Sequence, residues 1–158
     1  MIRVTSRSLG DTHALATVVE PLLRRGDVIL LGGDLGAGKT AFTQGMARAM
    51  GITEAVTSPT FTLLRTYDAP DGRRLLHADL YRLEHLQEVI DLALTELIEE
   101  ATVAVIEWGK VATPALPPDY LDIRIGFGAD DDERIFDMIP VGAPWAARAR
   151  ALQEAVLA

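Results

Sequence analysis

The segment Gly33-Asp34-Leu35-Gly36-Ala37-Gly38-Lys39-Thr40 constrains this chain more than any other, because it fits G-x-x-x-x-G-K-[ST] at a strand-to-helix junction. Val28-Ile29-Leu30-Leu31 precedes it as a short, continuous apolar run, the character of a parallel strand covered on both faces. The stretch from Lys39 to about Met50 reads as a helix stopped by Gly51, a residue type that tolerates a left-handed C-terminal cap. Strand, glycine-rich turn and helix together aim backbone amides and the positive helix end at one point, which suits the phosphates of a nucleotide. In such a loop Lys39 reaches the outer phosphates and the Thr40 hydroxyl holds magnesium.

The 158 residues are expected to form one domain, large enough to bury about two-thirds of the surface of its unfolded form. Ile2 to Arg7 alternates as a short strand. Asp11 or Thr12 then caps a helix to about Arg25, with a kink or restart at Pro21. Thr60 to Tyr67 and Arg73 to Arg82 flank Asp68-Ala69-Pro70-Asp71-Gly72, which has the turn chemistry of a hairpin. Leu83 to Glu100 is helical, in one piece or two. Val103-Ala104-Val105-Ile106 is a second buried strand ending in Glu107. Tyr120 to Gly126 and Ile135 to Ile139 form another hairpin around Asp130-Asp131-Asp132, a solvated turn rather than a metal site. Ala143 to Ala158 closes the chain as a helix. The expected class is α/β: a three-layer sandwich like the P-loop NTPases, with a mixed, mainly parallel central sheet and antiparallel hairpins.

Composition narrows the chemistry. There is no cysteine, so thiolate nucleophiles, disulfides and thiolate metal sites are excluded, and any metal must be held mainly by oxygen. The formal charge is −8, with thirteen arginines and only Lys39 and Lys110 as lysines, so free RNA or DNA is not expected as a sole ligand. No apolar run approaches the roughly 18 residues of a membrane span, and Arg3 and Arg7 stand where a signal peptide would be apolar; a soluble, cytoplasmic protein is expected.

Phosphoryl transfer needs a second carboxylate for magnesium or its waters and a polar group for the attacking oxygen. Glu107 would emerge at the carboxyl end of a central strand, where open α/β sheets bind ligands; otherwise it is a strand-end acid facing water. The two-residue strand period places His77, Asp79 and Tyr81 on one face; Asp79 is a candidate catalytic acid, or else a partner of Arg65 or Arg82. The hydroxyl-rich Thr57-Ser58-Pro59-Thr60-Phe61-Thr62 is similar to the first switch segment of nucleotide triphosphatases, or is simply a loop leading into a strand. Trp108 packs beside the nucleotide or caps the core, and Lys110 neutralises an anion or is a surface lysine.

Gly33 to Thr40, Ser58-Pro59-Thr60, His77-Ala78-Asp79-Leu80-Tyr81-Arg82 and Ile106-Glu107-Trp108-Gly109, in that order, resemble the TsaE (YjeE) family, the bacterial ATPase of tRNA threonylcarbamoyladenosine modification. The resemblance covers about residues 9 to 126. It implies a small P-loop ATPase of weak intrinsic turnover that assists TsaD and TsaB in modifying adenosine 37, meeting tRNA only through that complex, with no membrane or DNA partner. It further implies that Thr40 and Glu107 hold magnesium, that Gly36 to Ala41, with Gly33, cradle ATP phosphates, and that Lys39, Asp79 and Glu107 are catalytic. A residue near Thr12, at the first helix, would lie against the adenine. The family pattern carries a glycine where this chain has Ala93, which makes the helix break there an open question. Two other readings remain: a small-molecule kinase, whose arginine lid only Arg73 and Arg74 supply, and a nucleotide-gated interaction module with incidental hydrolysis.

Overall fold

The computed structural model describes residues 1–34, 36–57, 64–80, 83, 85–91, 93–107 and 113–158. Its strands are β1 (Ile2–Ser6), β2 (Asp27–Gly32), β3 (Leu64–Asp68), β4 (Arg74–Asp79), β5 (Val103–Glu107), β6 (Tyr120–Phe127) and β7 (Arg134–Val141). Its helices are α1 (Leu9–Val19), α2 (Lys39–Ala49), α3 (Leu86–Asp91), α4 (Leu94–Glu100) and α5 (Ala143–Leu157). All seven strands join one sheet in the order β1-β7-β6-β2-β5-β4-β3. The centre, β6-β2-β5-β4, is parallel, and antiparallel strands complete each side. This is the mixed α/β sheet expected from the sequence, with its parallel part where the continuous apolar runs lie.

Burial explains those runs. Every residue of β5 is buried, and β2 has apolar side chains on both faces. One face carries Ile29, Leu31, Leu75, Val105, Leu121, Ile123, Phe136 and Met138 against α1, α2 and α5. The other places Val28, Leu76, Ala78, Ala104 and Ile106 against Leu94 and Ile98 of α4. Helices therefore lie on both sides of the sheet, giving three layers.

Several local boundaries differ from expectation. The cap of α1 is Ser8, whose Oγ accepts from the Asp11 amide at 3.0 Å while Asp11 Oδ2 accepts from the Arg7 amide at 2.9 Å. This reciprocal arrangement makes Asp11 the third residue of the first turn, not the cap. The helix stops at Val19, and Pro21 sits in a separate 3-10 turn over Glu20–Leu22, because proline removes the amide that would continue the ladder. The helical stretch after β4 does break, and it breaks at Ala93, which has φ +54°, the one positive φ outside glycine among the described residues. The chain thus keeps the break with a residue that resists this conformation.

The last helix is anchored by a buried ion pair. Arg148 donates to both oxygens of Asp27 at 2.6 and 3.0 Å and to the Leu22 carbonyl at 3.0 Å, with its guanidinium 3.8 Å above the Trp145 ring. This fixes α5 to the start of β2, so the C-terminal segment braces the strand that leads into the glycine-rich loop.

Candidate functional site: a phosphate loop facing two carboxylates

β2 ends at Gly32, and the chain turns through Gly33 into α2. A Cβ at Gly33, where φ is +148°, would meet the Ile125 carbonyl oxygen of β6 at 2.5 Å, so only glycine lets the chain leave the sheet here. The loop closes with the Ala37 amide donating to the Asp34 carbonyl at 3.0 Å. Gly38 then caps α2 in a left-handed conformation, φ +111°, with no side chain satisfying the first turn. The leading amides of α2 have no partner within the helix, and the positive end of its dipole points the same way, an arrangement chemically suited to an anion.

Lys39 opens α2 and is 6% exposed. Its Nζ donates to the Gly33 carbonyl at 2.7 Å and the Asp34 carbonyl at 3.1 Å. Burial lowers its pKa, opposed by the attraction of Glu107, Asp79 and Asp34. The ammonium therefore sits inside the loop within the field of three carboxylates. Gly36 is exposed; Gly38, Thr40 and Ala41 are half-buried, and Ala37 is buried in the core below the loop.

Strand register brings the two acids together. Asp79 of β4 pairs directly with Glu107 of β5, and Glu107 pairs with Leu31 of β2, so one row crosses three parallel strands at their carboxyl ends. Paired positions share a face, and Leu31 belongs to the α2 side; Asp79 and Glu107 therefore stand on the side covered by the phosphate loop's helix. Glu107 is 2% exposed, so it is not a strand-end acid facing water. Nor does Arg65 pair with Asp79: it lies opposite His77 in the β3–β4 ladder and binds Glu54 at 3.3 Å.

The residues that could hold a divalent cation are Thr40 and Glu107. Among the described residues nothing hydrogen-bonds the Thr40 hydroxyl, and one Glu107 oxygen, Oε2, is bonded by His77 Nε2. No group of three or more His, Asp and Glu forms a protein cage among the described residues. Magnesium bound with phosphates needs only one or two carboxylates and retains waters, so this donor set fits it.

The other residues nominated from the sequence are taken in turn. Thr12 is 4% exposed, and its Oγ1 bonds Ser6 Oγ at 2.7 Å; since Ser6 donates to the Ser8 carbonyl, Thr12 is the donor. Its hydroxyl thus ties α1 to β1. Trp108, Lys110, Tyr81, Arg82 and the 58–62 segment lie outside the described residues. Asp130, Asp131 and Asp132 are exposed, as a solvated turn should be. A cleft of about 700 Å³ borders the loop at Gly33 and Asp34, but Leu30, Gly32, Tyr120, Asp122 and Arg124 place it against the sheet face opposite α2. Lys39, Asp79 and Glu107 do not line it.

Two contacts had no sequence signal strong enough to find them. His77, which the sequence offers as a same-face neighbour of Asp79 and a member of the motif around it but with no partner, is fully buried against Glu107. Arg134 of β7 donates to the Gly36 carbonyl at 3.3 Å and stacks 4.7 Å from the Phe127 ring, so the distant β6–β7 hairpin supports the loop.

Comparison with known proteins agrees with this architecture. The family model described as "Threonylcarbamoyl adenosine biosynthesis protein TsaE" matches residues 6–135. The tRNA threonylcarbamoyladenosine biosynthesis protein TsaE of Treponema pallidum is 43% identical over 135 residues, covering 85% of this chain and 98% of that protein. Its counterpart in Bacillus subtilis is 42% identical over 126 residues, covering 79% and 77%. The crystal structure of Bacillus YdiB superposes with a TM-score of 0.79 at 32% identity, covering 97% of this chain and 94% of that one. With its loop, its sheet and most of its length matched, the chain belongs to the TsaE family, the threonylcarbamoyl adenosine biosynthesis proteins.

Proposed function

We propose that the protein is a magnesium-dependent ATPase that supports threonylcarbamoylation of adenosine 37 in tRNA by a TsaD–TsaB complex. The observation that supports this reading is the row Asp79–Glu107–Leu31, whose two carboxylates both attract the Lys39 ammonium of the loop. The amides of residues 36–41 cradle the phosphates, and Lys39 moves from the Gly33 and Asp34 carbonyls to the outer phosphate oxygens. Thr40 and Glu107 hold magnesium. When bound, the ion neutralises charge developing on the transferred phosphoryl group. Asp79, registered beside Glu107, orients the attacking water. An acidic protein of formal charge −8 is suited to a basic partner surface, which favours contact with tRNA-handling proteins over contact with tRNA itself.

A lid built from Arg73 and Arg74 has no support. The Arg74 carbonyl accepts from the Thr102 amide and the Arg74 amide donates to Thr102 Oγ1, just before β5, which places Arg74 at the opposite end of the sheet from Glu107. Both arginines are engaged there, Arg73 by Glu20 and Asp71 and Arg74 by Asp68.

The test uses ATP labelled at the γ-phosphate, with and without purified TsaD and TsaB. Labelled inorganic phosphate, dependent on magnesium and raised by the partners, is the expected product. A labelled metabolite would make the protein a kinase, and modification at full rate with a non-hydrolysable analogue would make it a binding module. Affinity for TsaD–TsaB should be higher with ATP than with ADP; equal affinities would reject nucleotide-gated docking.

A further inference from the structure

His77 is fully buried on β4, with one ring nitrogen engaged and the other orphaned. Nε2 bonds Glu107 Oε2, while Nδ1 is buried with no hydrogen-bond partner among the described residues. A carboxylate accepts, so Nε2 carries the proton; a proton on Nδ1 would be buried with no acceptor. Register gives the direction of the contact. Asp79 lies directly beside Glu107, whereas His77 pairs with Val105, one side-chain step back along the same face. His77 therefore reaches Glu107 from the interior of the sheet, behind the row of acids.

An apolar side chain would serve the core equally well at this position, since Leu75 and Val105 on the same face are also fully buried. Burying a polar ring with one nitrogen unsatisfied is unfavourable unless the remaining bond does something a hydrocarbon cannot. We propose that His77 is the positioning residue of Glu107: by occupying Oε2 from behind, it fixes the carboxylate and leaves Oε1 for magnesium or a magnesium-bound water. This inference rests on the reading of Glu107 as the magnesium-holding acid. Outer-shell bonds of this kind orient metal-binding groups, and their loss typically lowers metal affinity by about 10–100-fold.

The test compares the full chain with its His77→Leu and His77→Gln variants. Leucine removes the donor while filling space; glutamine retains an N–H at a comparable reach. Binding of Mn2+, the probe ion, is followed by electron paramagnetic resonance in the presence of a non-hydrolysable ATP analogue, and nucleotide affinity is measured separately without metal. His77→Leu should bind Mn2+ about tenfold or more weakly with unchanged metal-free nucleotide affinity, and His77→Gln should restore most of the loss. Wild-type Mn2+ affinity in the leucine variant overturns the proposal, as does a folded glutamine variant no better than leucine. Should leucine prevent folding, the glutamine variant and long-range 1H–15N spectra of the wild-type protein decide. A ring protonated at Nε2 and perturbed by Glu107→Gln is expected; one protonated at Nδ1 overturns the proposal. A wild-type protein that takes up neither nucleotide nor Mn2+ overturns the ATPase reading and the proposal together, whereas normal uptake with an unaffected leucine variant overturns the positioning role alone.

Discussion

Gly45 of α2 lies against the backbone of His13 of α1 so closely that a Cβ there would stand 2.8 Å from His13 Cα and 3.0 Å from Ala16 Cβ. Nothing larger than hydrogen fits between the two helices at this crossing, and the contact sets where α2 runs relative to the sheet. Gly45→Val should therefore force α1 and α2 apart and cost about 1–3 kcal/mol, read as a lower midpoint in urea. An unchanged midpoint would show that α1 yields freely.

Lys39→Ala removes the only side-chain ammonium that the loop itself supplies. ATP binding and hydrolysis should lose about 2–4 kcal/mol of phosphate or transition-state stabilisation, measured by calorimetric titration and phosphate release. Unchanged affinity and turnover in the folded variant would remove Lys39 from the mechanism.

Glu107→Gln keeps the shape of the side chain and an oxygen to accept from His77, but removes the negative charge. The variant should fold and still bind ATP, with a higher magnesium requirement and turnover lowered by about 100-fold or more. A wild-type rate and magnesium dependence would exclude Glu107 as the metal-holding acid.

Ala93→Gly addresses the helix break. A left-handed alanine costs about 1–2 kcal/mol, while the added freedom of glycine in the unfolded chain offsets roughly 0.4–1 kcal/mol of that, so a gain of up to about 1.6 kcal/mol is expected. Thermal unfolding should shift upward; a downward shift would mean that the Ala93 methyl group contributes more than its backbone costs.

Asp137→Asn tests the outer strands. Arg3 donates to both oxygens of Asp137 at 2.7 and 3.0 Å across the β1–β7 pair. That hydrogen-bonded contact, aided by charge attraction, holds the Asp137 pKa below 3.8. A depressed carboxylate contributes stability above its unfolded pKa and loses it as pH falls through the folded value. The variant should be less stable than wild type by about 0.2–1 kcal/mol near neutral pH, as for an exposed pair, and the difference should close below pH 3.8. A difference independent of pH would assign the effect to something other than charge.

Legibility from sequence followed the range of the signal. The phosphate loop could be read because all its parts are consecutive, and β2 and β5 because each carries a continuous run of four apolar residues, as a strand covered on both faces does. Asp79 and Glu107 could be nominated, but their pairing could not, since β-register depends on contacts between residues distant in sequence. The same limit concealed the bond between His77 and Glu107. Arg134 was invisible for another reason: its link to Gly36 spans 98 positions and ends on a carbonyl, which carries no side-chain identity. The cap of α1 is ambiguous in the sequence because Ser8 accepts from the Asp11 amide while Asp11 accepts from the Arg7 amide, so both have capping chemistry.

The three carboxylates acting on Lys39 also determine what can approach it. Glu107, Asp79 and Asp34 already share the attraction of that ammonium, so an incoming phosphate meets three acids close to the group it has to reach. A polyphosphate arriving bare meets repulsion from the acids as well as attraction from the loop, whereas one arriving with a divalent ion meets a welcome from both. On the proposed function, the entrance selects the complexed nucleotide over the free one before any chemistry begins.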